Sequence, residues 1–227
     1  MHRPPVGRGP HLAPQSCPSV QAIPMKLLCS TLSVAGLAGL AVSSTRSAAP
    51  EVVLAAENYT IDNTHSTVLF HTKHIGISEA YGRFDTFSDK SMLVYDAADP
   101  SKSSVLVVIQ ADSVNTNAPD RDKHLKSADF FNAKEFPEMV FESKKISGKP
   151  DALTIEGELT FHGVTKPVSA KARVVGSGDT MFKDHRAGFA AELTLNMSDY
   201  NVEFVKKTPG AVGPEVALTI SLECVRK

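Results

Sequence analysis

The chain has 227 residues, and its 24 Lys and Arg almost balance its 25 Asp and Glu. Four of the basic residues and one acid lie in residues 1–56, so the remaining 171 residues carry a formal net charge of −4. This balance excludes a domain that binds nucleic acid through bulk positive charge. All eleven Phe and all four Tyr follow residue 56, which predicts a single core-forming domain over residues 57–227.

The N-terminal part of the sequence has the features of an export signal. Residues 1–24 contain six prolines and no periodic pattern, and we interpret them as a mis-set start or a disordered extension. Met25 and Lys26 then precede sixteen uncharged residues, 27–42, fewer than the about 20 that a membrane-spanning helix needs. Small residues follow, so residues 25–56 are predicted to be a secretory signal peptide and a short linker.

Cleavage of this signal is expected between Ala48 and Glu57. The mature protein would then have no stable insertion in a membrane. A retained anchor helix is the alternative, and the sequence leaves it open.

Apolar and polar residues alternate through most of the chain after Tyr59, which predicts β-strands that each turn one face towards a core. The predicted strands cover residues 66–72, 81–87, 92–95, 105–109, 139–143, 153–161, 168–174, 189–195 and 216–224. His162 and Gly163 lie between two of these runs, and glycine readily accepts the positive φ of a tight turn, so the two runs are predicted to form a hairpin.

One stretch interrupts the alternation. Asn117 is a residue type that caps helices, Pro119 suits a first helical turn, and Asp120 and Asp122 would lie near the positive end of a helix dipole. The pattern predicts one short helix of about two turns, with Asn117 as its cap.

About eight antiparallel strands of this kind hide their edges by closing into a barrel or by packing as a sandwich. The interior of an eight-stranded barrel is filled by side chains or holds one slender ligand. The inward-facing sets combine Phe161 and Phe189 with the small residues Gly157, Ala170 and Ala191, which leaves volume for a cavity. An ordinary filled core is the alternative at this point.

Four ordered blocks of the sequence resemble the YceI-like, polyisoprenoid-binding family of secreted bacterial proteins. The first block opens with Tyr-Thr-Ile-Asp-Asn-Thr-His-Ser, and the last contains Gly-Glu-Leu-Thr-Phe-His-Gly-Val-Thr-Lys. The blocks comprise residues 59–66 with Val68, Phe70, His74 and 82–84; residues 112–116 and 121–131; residues 136–137 and 141–143; and residues 157–166.

The resemblance implies a lipocalin-like antiparallel β-barrel with a short helix near one rim. It also implies a periplasmic location and an elongated apolar pore that holds one isoprenoid chain, such as a polyprenyl or quinone-type lipid. Family members resemble carriers or binders rather than enzymes, so neither a catalytic residue nor a cofactor is predicted.

The sequence departs from the family pattern near its end. Met197 and Asn201 replace the Arg and the Gly of the family's usual Arg-Ser-Asp-Phe-Gly. The loss of a guanidinium removes a partner for an anionic head group and favours a neutral ligand. Asn tolerates positive φ better than most residues, so the turn is expected to survive.

The residues expected to contact the lipid are mostly aromatic. The set predicted from the resemblance and the strand pattern is Phe70, Phe84, Phe130, Phe131, Phe141, Phe161, Phe189, Leu193, Tyr200, Arg121 and His124, with Phe204 as a further aromatic candidate. The helix region 117–131 is expected to line an entrance. The oligomeric state, a dimer included, stays open.

Arg121, Asp122 and His124 form the most chemistry-like cluster of the sequence. As a polar rim, Arg121 would meet an anionic oxygen of a lipid head group and His124 would donate a hydrogen bond. As a structural device, the same residues would stabilise a capped helix that closes one end of the barrel. The alternatives in function are a lipid-acting enzyme that uses this cluster and a stress-related interaction module of the cell envelope.

The remaining candidates for chemistry are less specific. His71 and His74 are three apart on a predicted strand and face opposite sides, so no metal site is predicted. Cys224 falls on an apolar strand face, which indicates a small buried hydrophobic residue rather than a nucleophile.

Overall fold

A computed structural model of the protein describes residues 56–227. The expected extension, signal peptide and cleavage site lie outside the described residues. The eleven strands are β1 Glu57–Ile61, β2 Thr67–His74, β3 Ser78–Phe84, β4 Met92–Tyr95, β5 Ser104–Gln110, β6 Val114–Asn115, β7 Glu138–Lys149, β8 Ala152–Phe161, β9 Val164–Asp179, β10 His185–Asn196 and β11 Val212–Arg226.

Two short α-helices and three 3₁₀ turns interrupt the strands. They are α1 Pro119–Leu125 and α2 Glu203–Lys207, with 3₁₀ turns at Pro100–Lys102, Ala111–Ser113 and Met197–Tyr200. Within residues 56–227, no helix is long and apolar enough to cross a membrane.

Eight of the strands close into an antiparallel barrel. Their order is β1-β4-β5-β7-β8-β9-β10-β11, and β11 returns to pair with β1 through Tyr59 and Arg226. The first part of β11 pairs instead with β2, which leads to β3 and β6. The segment 86–88, which follows β3, is hydrogen-bonded to β5. The Ser88 N–H donates to the Val108 carbonyl at 2.8 Å, so hydrogen bonds also connect the β2–β3 side of the wall to β5. The predicted lipocalin-like barrel of about eight strands, with a short helix near one rim, is confirmed.

The β8–β9 hairpin shows how the sequence sets the strand register. Leu153 and Phe161 point inwards and are 5% and 4% exposed, while the residues between them alternate. His162 and Gly163 both have positive φ, 51° and 73°, which is the backbone of a type I′ turn that matches the twist of paired strands. The predicted hairpin is confirmed.

The helix α1 has Pro119 in its first turn, as predicted, but Asn117 does not cap it. Ala118 occupies the capping position and offers no side-chain bond, while Asn117 has a φ of 58°. A left-handed backbone at Asn117 carries the chain into the helix, and the capping assignment was therefore wrong. The pattern did not predict β1, β6 or α2, which are each only two to five residues long.

Candidate binding cavity

The barrel encloses a cavity of about 220 Å³. Nine of the eleven strands line it, together with residues of α1 and α2. On β11 the lining runs from Val212 to Leu222, and its regularly alternating part from Val216 to Leu222 is about 20 Å of strand at roughly 3.3 Å per residue. The cavity therefore follows the length of the strands and is elongated.

Side chains that point into the barrel do not fill it. Phe189, Leu218 and Ile220 pack against the core cluster but remain only half-buried. Because they face inwards, the surface that they leave uncovered lies along the cavity. The filled-core alternative therefore does not describe this barrel.

The wall of the cavity is almost entirely apolar. None of its lining residues carries a charge, and those that carry a hydroxyl are Thr72, Tyr95 and Ser103. An apolar cavity of about 150 Å³ in another protein stays dry and takes up benzene. A cavity of this size and lining is suited to a hydrocarbon chain and unsuited to an ion.

Most of the predicted lipid contacts lie in the cavity wall. The members of the set that line the cavity are Phe70, Phe84, Phe130, Phe131, Phe141, Phe161, Phe189 and Leu193. Four of them form a chain of rings, with centroid distances of 5.4 Å from Phe70 to Phe84, 5.6 Å from Phe84 to Phe131 and 5.7 Å from Phe131 to Phe161. The structure thus brings these eight side chains to one cavity, and their contact with a lipid stays a prediction.

Tyr200, Arg121 and His124 do not lie in the wall. Tyr200 is 2% exposed and packs behind it, with its ring 5.6 Å from that of Phe161.

The two replaced family positions lie beside Tyr200. Met197 is buried and lines the cavity, so a thioether rather than a guanidinium faces the interior at this position. Asn201 has a φ of 58° and ends the 3₁₀ turn, which confirms that asparagine preserves the bend.

Arg121 and Asp122 converge on the buried residue Thr116. Arg121 donates from Nε to the Thr116 hydroxyl and from Nη2 to the Thr116 carbonyl, both at 2.7 Å. Asp122 Oδ1 accepts from the Thr116 N–H at 2.8 Å and from its hydroxyl at 2.5 Å. These bonds hold α1 against the end of β6. They occupy the guanidinium and carboxylate groups that would otherwise bind a lipid head group. The structural interpretation of this pair fits the geometry.

His124 lies on the outer side of α1 and packs edge-on against two rings. The centroid distances are 5.0 Å to Phe130 and 5.3 Å to Phe204, and Nε2 lies 3.6 Å from Asp129 Oδ2. The imidazole is therefore held away from the cavity, although its neighbour Phe130 lines it.

A second polar cluster lies near the chain end. Asp62, His65 and Glu223 approach closely enough to share a cation. Arg186 Nη1 already lies 2.7 Å from Asp62 and 2.5 Å from Glu223, so its guanidinium supplies the positive charge. Hydrogen bonds from His65, the Thr64 backbone and Arg186 hold the pKa of Asp62 well below its usual range.

Cys224 is fully buried, and burial raises the pKa of its thiol to about 12. The thiolate form that nucleophilic chemistry requires is therefore suppressed. This geometry agrees with the interpretation of Cys224 as a small hydrophobic residue.

Sequence reasoning missed most of the aliphatic wall and the hydroxyl of Tyr95. The wall includes Val105, Val107, Ile109, Ile155, Leu159 and Leu218. Alternation in the predicted strands did indicate which of these residues face inwards. The same alternation is found around a filled core, so it carried no signal for a ligand.

The fold and the cavity together define a small antiparallel β-barrel with an apolar interior cavity. The sequence matches the YceI-like domain over residues 59–224. It is 38% identical to Protein YceI of Escherichia coli O157:H7 over 191 residues, which cover 84% of this chain and 97% of that protein. The chain belongs to the YceI-like family.

Solved structures show the same fold. BcnA of Burkholderia cenocepacia has a TM-score of 0.64 and 23% identity, with 72% of this chain and 98% of BcnA covered. A polyisoprenoid binding domain from Saccharophagus degradans, implicated in plant cell wall breakdown, has a TM-score of 0.54 and 15% identity, with 74% of this chain and 98% of that domain covered.

Proposed function

We propose that the protein binds one elongated apolar lipid, of polyisoprenoid or quinone type, in the barrel cavity and acts as a periplasmic carrier or sequestering protein. The uncharged, elongated cavity carries this proposal. The binding named for the Saccharophagus degradans domain, which shares the fold, supports it.

Binding is driven by removal of the lipid tail from water. Apolar burial contributes about 25 cal/mol per Å² and requires no charged partner. The side chains of the wall exclude water and offer carbon atoms along the whole tail, while Leu125, Phe130 and Phe131 near α1 border the proposed entrance. Because these contacts are non-directional, the same wall accepts tails that differ in length or in saturation.

The enzyme alternative has weaker support from the geometry. Arg121 and Asp122 are committed to Thr116, and His124 lies outside the cavity wall. A catalytic role would need at least one of these groups to reach the lipid, and binding requires none of them.

An uptake assay separates the alternatives. The purified protein, residues 57–227, is mixed with phosphatidylcholine vesicles that contain geranylgeraniol, the vesicles are floated away, and lipid in the protein fraction is extracted and identified. We expect about one unchanged geranylgeraniol per chain. A chemically altered product that His124→Ala abolishes would instead support the enzyme. Absence of lipid from the protein fraction would contradict the carrier and favour the interaction module.

The periplasmic location is tested by expressing residues 25–227 and residues 57–227 in a Gram-negative host. We expect only the longer chain in the periplasmic fraction, with a new N-terminus between Ala48 and Glu57. Recovery of the intact longer chain in the membrane fraction would support the retained anchor instead.

A further inference from the structure

The hairpin tip between β2 and β3 exposes two isoleucines to solvent. Ile75 is 53% exposed and Ile77 is 83% exposed. Ile75 and Gly76 have positive φ, 45° and 71°, which is the backbone of a tight hairpin turn. Asparagine usually precedes the glycine of such a turn, and a β-branched side chain is strained there. The tip therefore keeps an exposed isoleucine where it destabilises the fold, which favours a role for this side chain outside the fold.

This tip lies beside one end of the cavity. His74 precedes the tip and pairs with Val212, which lines the cavity. The Ile75 N–H donates to the Ala211 carbonyl at 3.0 Å, so the tip is attached to the loop that follows α2. On α2 itself, Val205 also lines the cavity. The exposed isoleucines thus lie at the end of the barrel that contains the proposed entrance.

Lysines surround the tip. Lys73 precedes it on β2, and Lys206 and Lys207 lie in the last turn of α2. Glu203 lies 3.8 Å from Lys206 Nζ and 3.7 Å from Lys207 Nζ. Glu79 is paired with Lys73 across the two strands. Three lysines against two carboxylates leave a positive balance around the tip, which attracts an anionic surface.

The hairpin tip between β9 and β10 gives a comparison within the molecule. It lies at the opposite end of the barrel, because β10 begins directly after it and pairs there with the last residues of β11. Met181 on this tip is 87% exposed, as apolar and as accessible as Ile77. Its neighbours are Asp179, Lys183 and Asp184, two acids against one base. Only the tip beside the proposed entrance therefore combines exposed apolar side chains with a positive balance.

We propose that Ile75, Ile77 and the three lysines form a docking surface for an anionic phospholipid bilayer, which sets the cavity entrance against the membrane. The inference rests on the proposed lipid function, since such a ligand is taken from a membrane. The isoleucines enter the acyl boundary, where burial of apolar area drives binding, and the lysines lie among the head groups.

The size of the tip favours a bilayer over a protein partner. A stable protein interface takes roughly 20–30 residues from each side, far more than this tip provides. A bilayer is bound weakly by a small apolar insertion with basic neighbours. Weak binding suits a carrier, which has to leave the membrane after it has taken up its ligand.

Vesicle flotation without any isoprenoid measures docking by itself. Residues 57–227, which include all eleven strands, are mixed with vesicles of phosphatidylcholine, or of phosphatidylcholine and phosphatidylglycerol. We expect binding to the mixed vesicles, and Ile77→Ser should weaken it by about tenfold, the factor that burial of one isoleucine supplies. Lys207→Gln should weaken it by about fivefold and leave binding to pure phosphatidylcholine unchanged.

Two further variants separate docking from stability. Met181→Ser is the matched control, because it removes an equally exposed apolar side chain at the opposite end, and it should bind like the wild type. Ile75→Asn should bind more weakly than the wild type and yet unfold at a higher urea concentration, because asparagine fits the left-handed backbone. A tip with only a structural role would gain stability in Ile75→Asn without any loss of binding.

Equal binding of Ile77→Ser and the wild type would overturn the proposal, and so would failure of the wild type to float with the mixed vesicles. A dimer in gel filtration that Ile77→Ser converts to a monomer would assign the tip to a second copy of the chain instead. The geranylgeraniol uptake assay, run on the same proteins, tests the lipid function separately. Docking by a wild type that takes up no lipid would remove that function and leave the docking surface standing.

Discussion

The cavity wall and the cluster of Thr116, Arg121, Asp122 and His124 use their side chains in opposite ways. The cluster carries charged side chains, yet Arg121 and Asp122 direct their hydrogen bonds to Thr116. The wall is apolar and encloses about 220 Å³ that the protein itself leaves empty. The comparison teaches that the empty apolar cavity, rather than the charged cluster, is the feature suited to a ligand. Arg121 and Asp122, which suggested chemistry in the sequence, stabilise the fold.

Filling the cavity should have the largest effect. Ala191→Trp adds an indole to the wall opposite Ile220, and Glu192→Trp adds the same bulk on the exposed side of β10. We expect Ala191→Trp to lower lipid retention by more than about tenfold, because displacing two buried methylenes at about 0.8 kcal/mol each already suffices. Glu192→Trp should retain lipid like the wild type.

Circular dichroism and gel filtration would check that both variants fold, and extraction would count the lipid. Ala172→Phe, on the neighbouring strand, is a milder version of the same change. Full retention in a folded Ala191→Trp protein would mean that the lipid does not occupy this cavity.

Removing a group from the cluster should affect stability and leave binding unchanged. Arg121→Ala loses two hydrogen bonds to Thr116 and should lower the free energy of unfolding in urea by about 1 kcal/mol. Lys123→Ala, on the same helix, is the control and should change little. A loss of lipid at unchanged stability in Arg121→Ala would restore this residue as a head-group contact.

The carboxylate of Asp62 should make stability depend on acid. Its pKa lies below the ordinary value near 3.8, so its contribution is complete above that value and is lost as the pH falls through the folded-state pKa. We expect the urea midpoint to fall as the pH drops from about 4 to about 2, and to fall less steeply in Asp62→Asn. The exposed Asp89→Asn should keep the wild-type slope; identical slopes in all three proteins would show that the Asp62 network contributes nothing.

The smallest effect is expected at Cys224. Its burial and raised pKa predict no reaction of native residues 57–227, which lack Cys17 and Cys29, with Ellman's reagent, and complete reaction in urea. A rapid reaction of the folded protein would show that this part of the barrel opens.

Alternation of apolar and polar residues predicted most of the strands and their inward faces, because a strand has a side-chain period of two. It left a barrel and a sandwich open, and the family resemblance predicted the barrel. Leu153, Phe161 and Leu222 are buried as that period requires. The capping role of Asn117 was wrong, because its left-handed backbone depends on how the chain enters α1.

The binding features were less predictable because they depend on distant contacts. The rings of Phe70, Phe84, Phe131 and Phe161 come together only when segments far apart in the sequence close the barrel. An inward-facing valine looks the same beside a cavity as in a filled core. For this reason the family resemblance, rather than the residue pattern, predicted a ligand.

Native mass spectrometry tests the central claim most directly. The protein is purified without detergent from a bacterial host, its mass is measured in the native state, and the bound compound is then extracted with organic solvent and identified. The account predicts one isoprenoid or quinone lipid per chain. An empty protein that also fails to take up added quinone or polyprenol would contradict it.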